Sequence, residues 1–259
     1  MSAPSGRRET KREKTERMLA HRAAEQAAQR RRERMIRVGA AVAVVLVVLG
    51  VVLFMATRGG DEAPDDAALP TGVDTAGGGV PVGTAEAPVL ELYEDFQCPI
   101  CKTFEDALGS TLADLVSAGT ARILYYPLSF LDRQLGNDSS LRAANAAGCA
   151  QDAGAFAAYH DTVFTNQPER EGDGYTDEEL LQFGRDAGIE GDAYATFETC
   201  VQDRTYEGWV QQVQQVANDR PVTGTPTLFL DGELVDTNEL ITGESFDPEK
   251  LRALIEGAS

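Results

Sequence analysis

Histidine, cysteine and tryptophan are scarce in this chain of 259 residues, which has two His, four Cys and one Trp. A structural zinc site usually takes four ligands from cysteine and histidine. The cysteines supply one CxxC motif and two isolated residues, and the histidines, His21 and His160, lie far apart. We expect His160 to be a surface residue of a helix. The sequence therefore predicts no metal site and no bound cofactor.

Basic residues are also scarce in most of the chain. Residues 1–37 carry twelve Lys/Arg against five Asp/Glu, whereas residues 59–259 carry ten against 37. So acidic a region repels the phosphate backbone of nucleic acids. This balance argues against nucleic-acid binding by the folded part.

Charge is absent from the nineteen residues Val38–Ala56. As a helix they would span about 28 Å, close to the hydrocarbon thickness of a bilayer. A cleaved signal peptide usually has a shorter apolar stretch, and Met55-Ala56-Thr57 is a poor cleavage site. We predict a single-pass anchor over residues 38–57. The basic tail at 1–37 favours a cytoplasmic N-terminus and an extracytoplasmic position for the rest of the chain.

Two further segments follow the predicted anchor. Residues 58–87 are rich in Gly, Pro and acids with little hydrophobic periodicity, which predicts a flexible linker. Residues 88–259 are expected to fold as an α/β domain that contains no internal repeats. Strands are predicted at 89–93, 122–126, 227–230 and 234–235. Helices are predicted at 99–118, 140–153, 155–166, 176–187, 192–201, 205–218 and 247–257. The order is β-α-β, a helical insertion at about 138–219, then β-β-α.

The CxxC motif, Cys98-Pro99-Ile100-Cys101, lies where a predicted strand runs into a predicted helix. The free N–H groups and dipole at a helix start stabilise a thiolate, so Cys98 is the expected nucleophile. Cys101, one turn further along, could attack a mixed disulfide as the resolving thiol. Pro99 and Ile100 have no titratable group. Metal handling and an inert structural bridge are the alternatives for this pair.

Four segments of the chain resemble DsbA-like thiol–disulfide oxidoreductases in sequence order. They are Tyr93–Cys101, which contains the CxxC motif, Tyr126–Leu131, His160–Gln167 and Gly224–Phe229. The resemblance covers about residue 87 to the C-terminus, and its most specific parts are the CxxC and the Thr-Pro-Thr at 225–227. The Ala- and Val-rich anchored layout resembles actinobacterial members of the family.

The resemblance implies a thioredoxin fold with an inserted helical subdomain. It implies that Thr225-Pro226 is a cis peptide that faces the CxxC. Such a peptide would leave the Thr225 backbone free to pair with an extended client. A trans proline that begins a strand is the alternative. It also implies secreted or envelope proteins as clients and a quinone-linked membrane oxidase as partner.

Two departures from the family pattern leave the direction of electron flow open. Many thioredoxin-fold enzymes carry a buried acid six residues before the first cysteine, and here that position is Leu92; Glu94 and Asp95 are the candidates for its role. Strong oxidases often carry Val where this chain has Thr225. A disulfide oxidase is favoured. A reductase or isomerase on the same fold, or a non-catalytic copper-handling or scaffold module, is the alternative.

Cys149 and Cys200 lie in two predicted helices of the insertion. Four cysteines allow three pairings, but a CxxC pairs most easily with itself, which leaves a Cys149–Cys200 bridge. Neither residue lies at a helix start next to a proline, so a structural disulfide is expected. A second redox couple that relays electrons is the alternative.

Overall fold

The computed structural model describes residues 67–84 and 87–258. Within these ranges no helix has both the length and the apolar character needed to cross a bilayer. The predicted tail at 1–37 and the predicted anchor at 38–57 lie outside the described residues. The domain predicted for 88–259 lies almost wholly inside them.

The described residues form strands and helices in the predicted order. The strands are β1 Val80–Val82, β2 Val89–Glu94, β3 Arg122–Pro127, β4 Thr227–Leu230, β5 Glu233–Val235, β6 Ile241–Thr242 and β7 Ser245–Phe246. The helices are α1 Pro99–Ser117, α2 Asp132–Leu135, α3 Ser139–Asp152, α4 Phe156–Thr165, α5 Asp177–Asp186, α6 Gly191–Gln202, α7 Glu207–Asn218 and α8 Pro248–Glu256. The four predicted strands and seven predicted helices are confirmed, while β1, β6, β7 and α2 were not predicted.

Five strands form one mixed sheet in the order β1-β3-β2-β4-β5. Strands β2 and β3 are parallel, and the β1–β3, β2–β4 and β4–β5 pairs are antiparallel. Helix α1 connects β2 and β3, because parallel strands need a crossover connection and cannot be joined by a tight turn. Since β2 lies at the centre of the sheet, the loop that follows it is held between β3 and β4. This arrangement confirms the thioredoxin-like α/β fold.

Each face of the sheet packs on its own hydrophobic core. On one face, Leu90 and Leu92 of β2 pack with α1 and α8, where Phe104 and Leu251 are fully buried. On the other face, Tyr93 packs against the helical insertion. The alternation of side chains along a strand sends neighbouring residues to opposite faces. Both faces of β2 are therefore covered, which fixes the position of its C-terminal end.

The helical insertion runs from α3 to α7 and agrees with the range predicted at about 138–219. Helix α3 lies at its centre and buries mainly alanine and glycine, so its neighbours approach closely. A Cβ on Gly148 would meet the rings of Tyr206 and Trp209 at 3.0 and 3.2 Å. Helix α5 begins with the Thr176–Glu179 capping box, which satisfies two free N–H groups.

The prediction of a flexible linker over 58–87 is wrong for residues 67–84, which we call the N-terminal strap. The strap buries Val73 and Val80, and its strand β1 pairs with β3. Its Gly78 carbonyl accepts a 2.9 Å hydrogen bond from the Trp209 indole. Glycine is needed at position 79 for a reason other than flexibility, because a Cβ there would lie 2.7 Å from the Tyr126 ring. The ordered part thus begins well before residue 88.

Candidate active site

Cys98 lies at the junction of β2 and α1. It is the N-cap residue of α1, with extended backbone angles of φ −78° and ψ 118°, and Pro99 follows in the first turn. The first N–H groups of a helix have no partner within the helix. Those of Ile100 and Cys101 bond the Cys98 sulfur instead. The helix start therefore surrounds this sulfur with hydrogen-bond donors, as its sequence position predicts.

The pKa of Cys98 is lowered to about 6 by these contacts. The largest cause of the lowered pKa is the hydrogen bond from the Cys101 thiol. Burial opposes the lowering, and hydrogen bonding with Thr225 and with the two backbone N–H groups lowers the pKa further. The Cys101 thiol and the two backbone N–H groups are donors, and donors stabilise the thiolate over the thiol. Cys98 is consequently a thiolate at neutral pH.

Cys101 has the opposite character, although it lies only three residues away. Its side chain is fully buried. Burial raises its pKa well above the usual value, and the bond to Cys98 and the negative charge of Glu94 raise it further. Both cysteines are free thiols in this structure. The pair therefore consists of one ionised sulfur, on a residue that is 6% exposed, and one protonated sulfur that is fully buried.

The Thr225–Pro226 peptide is cis, as the family resemblance implies. It precedes β4, the neighbour of β2, and so lies beside the start of α1. The Thr225 carbonyl oxygen is 3.5 Å from the Cys98 Sγ. Pro99 and Ile100 are exposed next to it, Ile100 at 58%. The structure thus places the exposed Ile100 and the half-buried Thr225–Pro226 peptide next to the buried Cys98.

Asp95 is buried and holds the loop that carries Cys98. Its Oδ1 accepts hydrogen bonds from the Gln97 N–H at 2.9 Å and the Ser140 hydroxyl at 2.6 Å. Its Oδ2 accepts from the Leu131 N–H at 2.9 Å. Burial raises the pKa of Asp95 to about 7, and these three hydrogen bonds oppose that rise. Its oxygens are committed to the loop, so Asp95 positions the active site.

Three residues that the sequence analysis assigned no role also hold this loop. The first is Gln97, whose side chain donates to Asp132, Asn137 and Ser140. The other two, Gln167 and Tyr175, lie in the insertion. The Gln167 amide donates to the Phe96 and Cys98 carbonyls at 2.8 and 3.0 Å, and the Tyr175 hydroxyl donates to the Phe96 carbonyl at 2.7 Å. Gln167 closes the His160–Gln167 segment that resembles the family, and that resemblance was the available signal for it.

His160 is buried, so the expectation of a surface position is wrong. Its side chain is 3% exposed, and its Nε2 lies 2.9 Å from Oε2 of Glu94. The sequence contained the signal, because Phe156, Tyr159, His160, Val163 and Phe164 follow the spacing of one helix face, and all five are buried. Of the two candidate acids, Glu94 is thus the one that pairs with the imidazole, and its charge raises the pKa of Cys101.

Glu105 of α1 completes a buried cluster with Glu94 and His160. Possible ligand atoms of these three groups lie within 4.8 Å of one another, and no other such group occurs in 67–84 or 87–258. Burial raises the pKa of Glu105 well above the usual value, followed by the charge of Glu94. Burial alone would lower the pKa of His160, but interactions with the nearby Asp161 and the hydrogen-bonded Glu94, and then the charges of Glu105 and Glu94, raise it to about 10. Because Glu94 and His160 already form an ion pair, we interpret the group as a proton-sharing cluster.

Cys149 and Cys200 form a disulfide between α3 and α6, with a Cα–Cα distance of 5.8 Å. The predicted pairing is present, and the bridge lies inside the helical insertion. The structure therefore separates the four cysteines into a free pair at the start of α1 and a bonded pair in the insertion.

This combination of fold and site defines a class of protein, the thioredoxin-fold proteins with a paired-cysteine centre. A family model described as thioredoxin matches residues 75–256, so the chain belongs to the thioredoxin family. Its start at residue 75 agrees with the inclusion of the N-terminal strap in the domain.

Solved structures narrow the similarity to DsbA-like thiol–disulfide oxidoreductases of actinobacteria. The thiol–disulfide oxidoreductase MdbA from Actinomyces oris is 26% identical with a TM-score of 0.57, over 68% of this chain and 84% of that one. Reduced DsbA from Mycobacterium tuberculosis is 27% identical with a TM-score of 0.57, over 69% of this chain and 91% of that one. The family resemblance found in the sequence is thereby confirmed.

Curated proteins with similar sequences are much longer than this chain. One is the Na(+)/H(+) antiporter NhaA 3 of Salinispora tropica, which is 31% identical over 151 residues, 58% of this chain. Another is the Na(+)/H(+) antiporter NhaA 1 of Salinispora arenicola, which is 33% identical over 153 residues. The chain spans about a fifth of the length of these relatives, since the match covers 21% of each.

Proposed function

We propose that this protein is a thiol–disulfide oxidoreductase that donates the Cys98–Cys101 disulfide to client proteins. The observation that carries the proposal is the contrast between the two sulfurs. Cys98 has a pKa of about 6 at a helix start, and Cys101 has a raised pKa in the interior. In this proposal Cys98 meets the client and Cys101 is the resolving thiol.

The chemistry has two exchange steps. A client thiolate attacks the Cys98 sulfur of the oxidised enzyme, which breaks the Cys98–Cys101 bond and leaves the electron pair on Cys101. A second client thiolate then attacks its partner sulfur in the mixed disulfide and expels Cys98 as a thiolate. A sulfur of low pKa is the better leaving group. The ionised state of Cys98 therefore favours release of the oxidised client.

The same contacts favour the oxidase direction at equilibrium. The donors around Cys98 stabilise a charge that exists only in the dithiol form. A more stable dithiol form makes the disulfide a stronger oxidant, by 1.36 kcal/mol for each unit by which the thiol pKa is lowered. This reasoning supports an oxidase over a reductase, although Leu92 and Thr225 depart from the family pattern.

The surface around Cys98 suits an extended client segment. Exposed Pro99 and Ile100 offer an apolar contact, and the cis Thr225–Pro226 peptide presents backbone next to the sulfur. A client strand would pair with that backbone while its cysteine reaches Cys98. Such docking uses main-chain bonds and one apolar contact, so it would accept clients of many sequences.

We place the catalytic domain outside the cytoplasm, attached by residues 38–57 with residues 1–37 inside. The uncharged span and its basic flank support this arrangement. Clients would be secreted or envelope proteins. Regeneration of the disulfide needs a two-electron acceptor, for which we propose a quinone-linked membrane oxidase. The non-catalytic copper-handling or scaffold role is the competing proposal.

The reduction potential of the Cys98–Cys101 pair is the decisive measurement. We expect a value well above the roughly −270 mV of thioredoxin, toward the roughly −120 mV of a strong oxidant. Equilibration of the purified domain with glutathione buffers measures it. A value near that of thioredoxin would show that the electrons flow toward the client, as in a reductase.

Cysteine variants separate catalysis from a binding role. Given a client that carries a disulfide, Cys101→Ser should accumulate a mixed disulfide, because its Cys98 thiolate attacks that disulfide, displaces one client sulfur as a thiolate and meets no resolving thiol. Cys98→Ser should abolish both this complex and the oxidation of a dithiol peptide. The Cys149→Ala/Cys200→Ala variant is the matched control and should keep the activity. Full biological function in Cys98→Ser cells would favour the non-catalytic role.

A further inference from the structure

Each turnover of the proposed reaction moves a proton on or off a sulfur that solvent does not reach. Cys101 is fully buried, and a bound client would also cover Cys98, which lies in front of it. When a client thiolate breaks the Cys98–Cys101 bond, Cys101 leaves with the electron pair and takes up one proton. When the enzyme is reoxidised, Cys101 gives one proton back. The proton therefore needs a route through the interior.

A chain of ionisable groups leads from Cys101 to the surface. Glu94 is the carboxylate whose charge acts on Cys101, and its Oε1 is buried with no hydrogen-bond partner among the described residues. Its Oε2 bonds His160 Nε2 at 2.9 Å. On the other side of the imidazole ring, Nδ1 lies 3.6 Å from Oδ1 of Asp161, whose side chain is 71% exposed.

We propose that Glu94, His160 and Asp161 form a proton relay that connects the buried Cys101 thiol with solvent through helix α4. This inference rests on the proposed function and adds to it a path for the proton that does not pass the client. Glu94 exchanges the proton with Cys101, His160 carries it from one ring nitrogen to the other, and Asp161 exchanges it with water.

The geometry suits each step. The two ring nitrogens of histidine can accept a proton on one side and release one on the other. The carboxyl group of Glu94 offers one oxygen to His160 and keeps the other free, so its rotation moves the proton between them. The 3.6 Å gap to Asp161 exceeds hydrogen-bond length, but rotation of an exposed side chain closes such a gap within nanoseconds.

Aromatic rings surround much of the His160 side chain. The aromatic rings of Phe96, Tyr125, Phe156 and Phe164 lie within 5.7 Å of the imidazole, centre to centre. The titratable groups that face it are Glu94 from β2, Glu105 from α1, Tyr125 from β3 and Asp161 from α4. Of these, Asp161 is the exposed one. Burial is the largest cause that raises the pKa of Glu105 and of Tyr125 well above the usual range.

The relay balances over one catalytic cycle. Oxidation of a client dithiol draws one proton inward to Cys101, and reoxidation of the enzyme sends one outward as two electrons pass to the acceptor. Since the two transfers run in opposite directions, His160 returns to its starting protonation state. The relay changes the rate at which Cys101 gains or loses its proton and leaves the final equilibrium unchanged.

Asp161→Asn is the variant that tests the relay, because a change at buried His160 would also disturb the core. We expect the preoxidised variant to oxidise a dithiol peptide about tenfold or more slower than the wild type. Stopped-flow measurements in a buffer that contains EDTA give this rate. The reduction potential should stay as in the wild type. Raising the imidazole buffer concentration should restore much of the rate, because a small buffer can replace Asp161. Asp161→Glu should keep the rate.

Asp186→Asn is the matched control, since it removes an exposed helical carboxylate of the insertion whose hydrogen bond is to Gln182 and not to His160. It should react as the wild type does. The relay would be overturned if Asp161→Asn reacted as fast as the wild type, or if imidazole did not restore its slower rate. In both cases, oxidation of the peptide by the wild type would still uphold the proposed function. No peptide oxidation by the wild type, with Cys98 oxidised at the start, would refute the function and the relay together.

Discussion

Cys98 and Cys101 differ because of the few groups that each one touches. Cys98 receives hydrogen bonds at the start of a helix, and Cys101 is enclosed by apolar side chains and faces the negative charge of Glu94. The Cys101 thiol is itself the largest contributor to the low pKa of Cys98. At this scale the two sulfurs act as a coupled pair, in which the buried proton of one stabilises the charge of the other.

Removal of the Cys101 donor should raise the pKa of Cys98. We expect Cys101→Ala to move it from about 6 toward the ordinary thiol value, and Cys101→Ser, which keeps a hydroxyl donor, to move it less. The rate of alkylation by iodoacetamide, measured against pH, reports this value. Equal pKa values in the two variants would contradict the role of the donor.

The same shift fixes how the stability of the reduced protein depends on pH. The pKa of Cys98 in the folded state, about 6, lies below the ordinary value. The thiolate therefore stabilises the fold fully above the ordinary thiol pKa, and this contribution is lost as the pH falls through about 6. The difference in unfolding free energy between the reduced wild type and Cys98→Ser should shrink over that range.

At the scale of elements, the N-terminal strap connects the sheet to the helical insertion. It adds β1 to the edge of the sheet beside β3, while Gly78 accepts a hydrogen bond from Trp209 of α7. Thr71 binds Asp152 at the end of α3 through its N–H and its hydroxyl, at 2.9 and 2.8 Å. These contacts give the strap a structural role that its composition did not indicate.

Loss of the strap should destabilise the domain. The free energy of unfolding of a chain that begins at residue 87 should be roughly 3 kcal/mol or more below that of a chain that begins at residue 67. The reason is that the shorter chain lacks the buried side chains of Val73 and Val80. Urea denaturation of the two chains measures the difference. Equal stabilities would show that the strap contributes nothing to the fold.

At the scale of the whole molecule, a helical insertion clamps a loop that belongs to the sheet. Asp95 and Gln97 of that loop bond groups around α2 and α3, while Gln167 and Tyr175 reach it from the segment between α4 and α5. The insertion also carries His160 and Asp161, and the Cys149–Cys200 disulfide joins two of its helices. The insertion therefore holds the loop that carries Cys98 from outside the sheet.

The Cys149–Cys200 disulfide should stabilise the domain without setting its redox chemistry. Cys149→Ala/Cys200→Ala is expected to lower the free energy of unfolding by about 4 kcal/mol, given a sequence separation of 51 between the cysteines. The reduction potential of the Cys98–Cys101 pair should remain unchanged. A large shift in that potential would favour the alternative of a second redox couple. Urea denaturation and glutathione equilibration are the two measurements.

The amino-acid sequence by itself determined the order of elements and the redox pair. Residues with strong local preferences are the reason: Pro99 suits the first turn of a helix, alanine-rich segments favour helices, and a short apolar run such as Val89–Tyr93 favours a strand. Thr225-Pro226 and the CxxC were accessible through the family resemblance. These features depend on residues that are close in sequence.

Only the tertiary structure decided which distant groups meet. The strap lacked hydrophobic periodicity, and its order comes from contacts with β3, α3 and α7. His160 became part of the site because α4 turns it toward Glu94, and the choice of Glu94 over Asp95 depends on the hydrogen bonds that Asp95 makes with Leu131 and Ser140. Such pairings join residues more than thirty positions apart, and local propensity carries no information about them.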